Sequence, residues 1–185
     1  MISVPGYKVG GTLFTAEQIH EKVKELGRRI SEDYRGETIT AVGILKGSFV
    51  FMADLIREID ADIQVDFMEV SSYGNKTKSS GNIMIKKDME IAPSGKNILI
   101  VEDIIDAGNT LKYLRDTYLA GKEAKSVKIV TFLDKPSRRK ADIEPDYTGF
   151  RIEDLFVAGY GLDYAQHYRE LPDIIYLLEE EDPEL

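Results

Sequence analysis

The chain has 185 residues, of which 43% are hydrophobic, with no cysteine and a formal net charge of −9. That length and apolar content suit one sizeable core, and the charge argues against non-specific nucleic-acid binding, which needs Lys and Arg to neutralise phosphates. Without cysteine there are no disulfides and no thiol chemistry. No apolar run approaches the ~18 residues of a membrane span, and the first residues lack a charged-then-apolar leader pattern; a cytoplasmic enzyme is the simplest expectation. An anionic substrate would have to be met locally, by a metal, a helix end or a few placed cations.

Residues Thr15 to Tyr34 read as an amphipathic helix, because Ile19, Val23, Leu26 and Ile30 recur at helical spacing. Thr15 and Gln18 are placed for a capping box, and Gly36 ends the segment. It is expected to pack, with His20 facing solvent and no chemistry assigned to it. Ile39 to Leu45 reads as a buried strand that runs into Lys46-Gly47-Ser48 and then a helix carrying Phe49, Met52, Ala53, Leu55 and Ile56. A strand, a small loop with Lys at its tip and a helix form a weak anion signal taken alone. Ile63 to Val70 alternates and reads as a strand, with Ile83 to Ile85 as its partner. The polar, Gly/Ser-rich, basic stretch between them fits either an exposed hairpin tip or a lid that closes over substrate. Asp88 to Gly95 reads as a surface connection.

The stretch Asn97 to Leu111 organises the chain. Ile98 to Val101 is an apolar run of the kind that forms a strand buried on both faces. Glu102 and Asp103 stand where that strand is expected to end, and Asp106 follows in a loop. Ala107-Gly108-Asn109-Thr110 then leads into Leu111, Leu114 and Tyr118 at helical spacing. Strand, loop and helix start in that order make an anion site at the carboxyl end of a parallel sheet, with Gly108 permitting positive φ. A bare phosphate pocket would not be flanked by three carboxylates. A ligand with a phosphate at one end and sugar hydroxyls or Mg²⁺ at the other would be.

Gly121 is a natural stop for that helix. Val127 to Leu133 reads as another strand, which places Lys135 at its carboxyl end, and the run Arg138-Arg139-Lys140 reads as a solvated loop. Leu155 to Ala158 is a short strand followed by Gly159-Tyr160-Gly161-Leu162-Asp163-Tyr164. Ile174 to Leu178 is a final strand, and Glu179 to Leu185 an acidic tail. With no internal repeat or linker, residues 1–185 are expected to form one domain.

Five of these segments, in this order, resemble the type I phosphoribosyltransferases, and among them the bacterial hypoxanthine (hypoxanthine-guanine) phosphoribosyltransferases; the resemblance spans about residues 10–180. The run within Asn97 to Leu111 resembles the family's phosphoribosyl-pyrophosphate motif, departing from it at Ala107, where Ser or Thr is commoner. Leu-Lys-Gly-Ser resembles the pyrophosphate loop, whose peptide before the Lys can be cis. Ser72-Tyr73 matches the flexible loop, and Asp154 to Tyr164 resembles the purine-binding hood. The resemblance implies an α/β type I phosphoribosyltransferase fold: a central mostly parallel sheet flanked by helices, a small hood from the N-terminal segment and residues about 135–185, and a hairpin lid at 71–82.

It also implies roles. Glu102, Asp103, Asp106, Ala107, Gly108, Asn109 and Thr110 would bind the phosphoribosyl group and its 5′-phosphate, with Asp106 as the catalytic acid/base. Lys46, Gly47 and Arg169 would hold pyrophosphate. Lys135, Phe156, Val157 and Asp163 would bind the purine, with Ser72 and Tyr73 in the lid. Glu102, Asp103 and Asp163 would hold Mg²⁺; His167, near this last segment, is given no role. The expected substrates are a 6-oxopurine and phosphoribosyl pyrophosphate, giving IMP or GMP plus pyrophosphate, in a homodimer or homotetramer with no nucleic-acid or membrane partner. A xanthine-preferring enzyme and a non-catalytic sugar-phosphate-binding regulator remain as alternatives.

Overall fold

The computed structural model describes residues 6–73 and 82–179. Their elements are β1 (Tyr7–Phe14), α1 (Ala16–Asp33), β2 (Thr38–Leu45), α2 (Phe49–Glu58), β3 (Asp62–Tyr73), β4 (Asn82–Lys87), β5 (Asn97–Ile105), α3 (Asn109–Tyr113), β6 (Ser126–Asp134), β7 (Tyr147–Arg151), β8 (Phe156–Ala158) and β9 (Ile174–Glu179). The main sheet has the order β4-β3-β2-β5-β6-β7. All its pairings are parallel except β3 with β4. A second, antiparallel sheet has the order β1-β9-β8.

Each face of the main sheet is buried. Ile39, Ala41, Leu99, Val101 and Phe132 pack with Leu26, Ile30, Phe51 and Leu55 of α1 and α2. On the other face Val42, Ile44, Ile98, Ile100 and Ile129 pack with Leu111, Leu114 and Leu119. The run Ile98 to Val101 is at most 1% exposed, as a doubly covered strand requires. α1 starts with the expected capping box: Thr15 Oγ1 accepts from Gln18 N, and Gln18 Oε1 accepts from Thr15 N.

Three expectations change. β5 does not end at the acids: it runs through Glu102 and Asp103 to Ile105, because its ladder with β6 continues to the pair Ile105 and Asp134. The helix after the anion loop is not uniform: α3 gives way to a π-helical segment, Leu114–Leu119, and a 3₁₀ turn, Ala120–Lys122. The basic run is solvated only in part: Arg138 and Lys140 are exposed, but the Arg139 side chain is only 10% exposed and paired with Asp134. Two strands, β1 and β7, carry no strong alternation. β1 contains Gly10 and Gly11, which lie under the Tyr176 ring. Residues 74–81, the centre of the expected lid, lie outside the described residues; Tyr73 and Asn82 at its two ends are paired in the β3–β4 ladder.

Candidate active site

The main sheet changes direction between β2 and β5. From β2 the chain builds outward to β3 on one side, and from β5 to β6 and β7 on the other. Ligands of open α/β sheets bind outside the carboxyl ends of the strands at such a switch point. Here the two strands also separate. The β2–β5 ladder stops at Gly43 and Val101, while β2 stays paired with β3 through Leu45 and β5 with β6 through Ile105. The gap opens a cavity of about 430 Å³ lined by Ile44, Leu45 and Gly47 on one wall and by residues 102–111 on the other. The two acids therefore project from a strand held on its far edge.

Gly47 closes the upper wall. A Cβ on it would lie 1.6 Å from Asp103 Oδ2, so only glycine allows the loop to lie against that carboxylate. The loop is backed from outside by Gly161, whose own Cβ would meet Gly47 O at 2.2 Å. The Leu45–Lys46 peptide is cis, as the resemblance allowed, and Lys46 is exposed. At the floor, Gly108 has φ +80°, which L side chains rarely adopt, and a Cβ there would meet Ile143 at 2.7 Å. Ala107, Gly108 and Thr110 are half-buried, and Asn109 opens α3 at the surface.

Glu102 and Asp103 are adjacent, half-buried carboxylates. Burial, then the charge of Asp103, pushes the Glu102 carboxyl well above the usual carboxylate range. Burial also raises Asp103, opposed by hydrogen bonds and by the Arg169 guanidinium. Ile104 N donates to Asp103 Oδ1 at 2.8 Å, and Asp103 N donates to Glu102 Oε1 at 3.3 Å. Arg169 reaches this region from the segment after β8. Its Nη2 is 2.6 Å from Asp163 Oδ1, and its Nη1 donates to Gly161 O at 2.7 Å. Asp163 Oδ2 accepts from Gln166 N at 2.8 Å. No group of three or more His, Cys, Asp or Glu side chains is gathered as a metal cage among the described residues.

The other end of the site is built at the ends of β6 and β8. Lys135 is 8% exposed, and its backbone N donates to Ile105 O at 3.0 Å. Phe156 is 43% exposed, with its ring beside Tyr7 and Tyr164 at centroid distances of 5.2 and 5.5 Å. Val157 lies on β8, one of the two edge strands of the second sheet. Ser72 and Tyr73 end β3.

Asp134, Arg138, Arg139, Lys140, Ala141 and Asp154 were not singled out from the sequence as site residues. Arg139 is sunk behind the anion loop: its Nε donates to Asp106 O at 3.0 Å, its Nη1 to Ile143 O at 2.6 Å, and its Nη2 pairs with the fully buried Asp134. Burial still pushes the Asp134 carboxyl up, against the pull of Arg139. Lys140 N and Ala141 N both donate to Ala107 O at 3.0 Å. The segment after β6 thus clamps the loop after β5. Arg138 and Asp154 lie at the mouth, with Arg138 Nε 3.1 Å from Asp106 Oδ1. The available signal was two arginines four and five residues beyond a strand-end Asp.

Comparison with known proteins identifies the family. The phosphoribosyl transferase domain model matches residues 11–165. The hypoxanthine-guanine phosphoribosyltransferase of Bacillus subtilis is 55% identical over 162 residues, 88% of this chain and 89% of that protein. The bifunctional protein TilS/HprT of Listeria monocytogenes is 49% identical over 162 residues, 88% of this chain but 25% of that longer protein. Among solved structures, a hypoxanthine phosphoribosyltransferase from Staphylococcus aureus aligns with a TM-score of 0.88 at 48% identity, covering 92% of each chain. A cleft at the β2–β5 switch point, an acid pair on its wall and a glycine-bearing anion loop at its floor thus accompany similarity along most of the sequence, and the chain belongs to the phosphoribosyl transferase family, among the hypoxanthine-guanine phosphoribosyltransferases.

Proposed function

We propose that this chain transfers the 5-phosphoribosyl group from phosphoribosyl pyrophosphate to hypoxanthine or guanine, giving IMP or GMP and pyrophosphate. The observation that carries the reading is the parted β2–β5 ladder, which puts a glycine-bearing anion loop, two adjacent carboxylates and a Lys-Gly loop around one cavity. The backbone amides of residues 107–110 and the Thr110 hydroxyl take the 5′-phosphate. Glu102 and Asp103 face the ribose hydroxyls. Lys46, the Gly47 backbone and Arg169 take the pyrophosphate. Phe156 stacks on the purine through its exposed ring face, the Val157 backbone meets the base edge, and Lys135 donates to the 6-oxo group.

In the transfer, a purine imidazole nitrogen loses its proton to Asp106. A ring nitrogen lone pair forms the bond to the ribose carbon, and the electron pair of the broken carbon–oxygen bond leaves with pyrophosphate. The ribose carbon gains oxocarbenium-like charge on the way, as in glycoside hydrolysis, so the nearby carboxylates stabilise it. Closure by the lid that includes Ser72 and Tyr73 excludes water from this cation.

The donor set fits Mg²⁺. Glu102 and Asp103 offer hard oxygen ligands side by side, and a cation there would offset the burial and the Asp103 charge that raise Glu102. Mg²⁺ is commonly held by one or two carboxylates plus substrate phosphates rather than by a full protein cage. When bound it neutralises charge on the departing pyrophosphate. Asp163, paired with Arg169 in this structure, would be the further carboxylate available to hold the cation. No helix among the described residues is long and apolar enough to cross a membrane. The cytoplasmic location and the homodimer or homotetramer are carried by family resemblance.

Assay of the purified chain with phosphoribosyl pyrophosphate, Mg²⁺ and labelled hypoxanthine, guanine, xanthine or adenine tests the reading. Nucleotide formation from hypoxanthine and guanine, with adenine far behind, is expected. A preference for adenine or xanthine, or no transfer to any base, refutes it.

A further inference from the structure

Arg138 stands between two carboxylates from different parts of the fold. Its Nε donates to Asp106 Oδ1 at 3.1 Å, and its Nη1 donates to Asp154 Oδ2 at 3.3 Å. The other oxygen of Asp154 lies 3.9 Å from Lys135 Nζ. The four side chains make a line of alternating charge, from the anion loop after β5 through the turn after β6 to the segment before β8, and back to the end of β6. A guanidinium suits the bridging position because its donors are fixed in one plane and can serve two acceptors at once.

The ends of this line are the two groups assigned to one edge of the purine, Lys135 at the 6-oxo group and Asp106 at the imidazole nitrogen. We propose that Arg138 and Asp154 are positioning residues for the transfer: Arg138 holds one oxygen of Asp106 so that the other meets the purine nitrogen, and Asp154 ties that carboxylate to Lys135. The inference rests on the assignment of Asp106 as proton acceptor. The proton passes from the purine nitrogen to the free oxygen of Asp106, its bonding pair stays on the ring, and Arg138 neither gains nor loses a proton. One purine thus engages both ends of a preformed array.

Arg138 and Asp154 are each about half exposed, at 53% and 52% of their side-chain surface. Isolated exposed ion pairs contribute little to stability, so folding and positioning separate cleanly here. The test compares R138Q, D154N, D106N and the double variant R138Q/D106N by steady-state kinetics with hypoxanthine, with thermal midpoints recorded alongside. R138Q is expected to lower kcat roughly 5–20-fold, less than the ~10²-fold of a full 1 Å misplacement. Its KM for phosphoribosyl pyrophosphate and its midpoint stay near those of the parent. D154N raises KM for hypoxanthine several-fold. The double variant is no slower than D106N, because Arg138 acts only through that carboxylate.

Parental kcat in R138Q, or losses that multiply in the double variant, overturns the role of Arg138. Parental KM in D154N overturns the role of Asp154. Parental kcat in D106N refutes the proton-acceptor assignment itself and takes the inference with it, a pattern distinct from failure at Arg138 alone.

Discussion

Replacing Gly47 by Ala tests the upper wall of the cleft. The added Cβ would sit 1.6 Å from Asp103 Oδ2 and 2.5 Å from its Cγ, where ordinary contact begins at 3.4 Å. About 1.8 Å must therefore be found. Asp103 cannot readily swing, because its Oδ1 takes the Ile104 amide at 2.8 Å. The loop cannot back away, because Gly161 is packed on the Gly47 carbonyl. Overpacking of this kind costs about 1–3 kcal/mol. If that strain falls on the bound transition state, kcat/KM for phosphoribosyl pyrophosphate drops about 5- to 150-fold, since ~1.4 kcal/mol is tenfold. The assay is pyrophosphate release at saturating hypoxanthine, with thermal midpoints measured in parallel. Gly121→Ala is the control, since its Cβ meets nothing within 4 Å; both its kcat/KM and its midpoint should match the parent. Parental kcat/KM and midpoint in Gly47→Ala would show that the loop does not lie against Asp103.

Asp106→Asn should lower kcat by about 10²–10⁴-fold, the usual range for a general acid or base, with KM for phosphoribosyl pyrophosphate spared; undiminished turnover removes Asp106 from the chemistry. Lys135→Met should erode discrimination between hypoxanthine and adenine by ~1–3 kcal/mol, the cost of leaving a buried polar partner unmet, read as the ratio of their kcat/KM values. An unchanged ratio separates Lys135 from the 6-oxo group. Asp66→Ala should lower the unfolding free energy by about 2–4 kcal/mol, because one buried carboxylate accepts from Phe67 N, Glu90 N and Ile91 N, each at 2.7 Å. Urea unfolding would reveal it, and an unshifted midpoint contradicts the account. Because its folded-state pKa is raised, the metal-free Glu102 site keeps a proton that the unfolded chain releases near pH ~4.3. Its contribution to stability is full below that pH and is lost as pH rises through the folded-state value. Mg²⁺ binding, followed by calorimetry in buffers of different ionisation enthalpy, should then release protons and tighten with rising pH; proton uptake would be the wrong sign.

Features set by near neighbours in sequence could be read directly. The Thr15–Gln18 cap, the β2-loop-α2 unit and the doubly buried core of β5 each depend on a few consecutive residues. Features set by remote pairing could not. β5 outlasts its apolar run because β6 supplies rungs up to Asp134, which nothing between Asn97 and Leu111 reveals. Asp66 sits on the polar side of an alternating strand, yet is 6% exposed because residues 88–91 fold back over it. Arg138-Arg139 reads as surface charge until Asp134 and Asp106, from two other elements, are brought to it. β1 and β7 are edge strands, and β1 pairs with a partner some 160 residues away. The residues proposed for the site stand out in the sequence because acids or a lysine directly follow apolar runs, at Glu102, Asp103 and Lys135, where a charged group has no packing reason to stand.

The separation of β2 from β5 has a practical corollary for anyone wishing to borrow this chemistry. The acidic pair and the glycine turn after it are not a portable cassette. Grafted into another parallel sheet, they would meet a neighbouring strand still zipped beside them, with nowhere for a sugar to enter. A host scaffold would need its adjacent strand to peel away at the rung of Gly43, so what must be transplanted is a fork in the sheet as much as the string of letters on one of its tines.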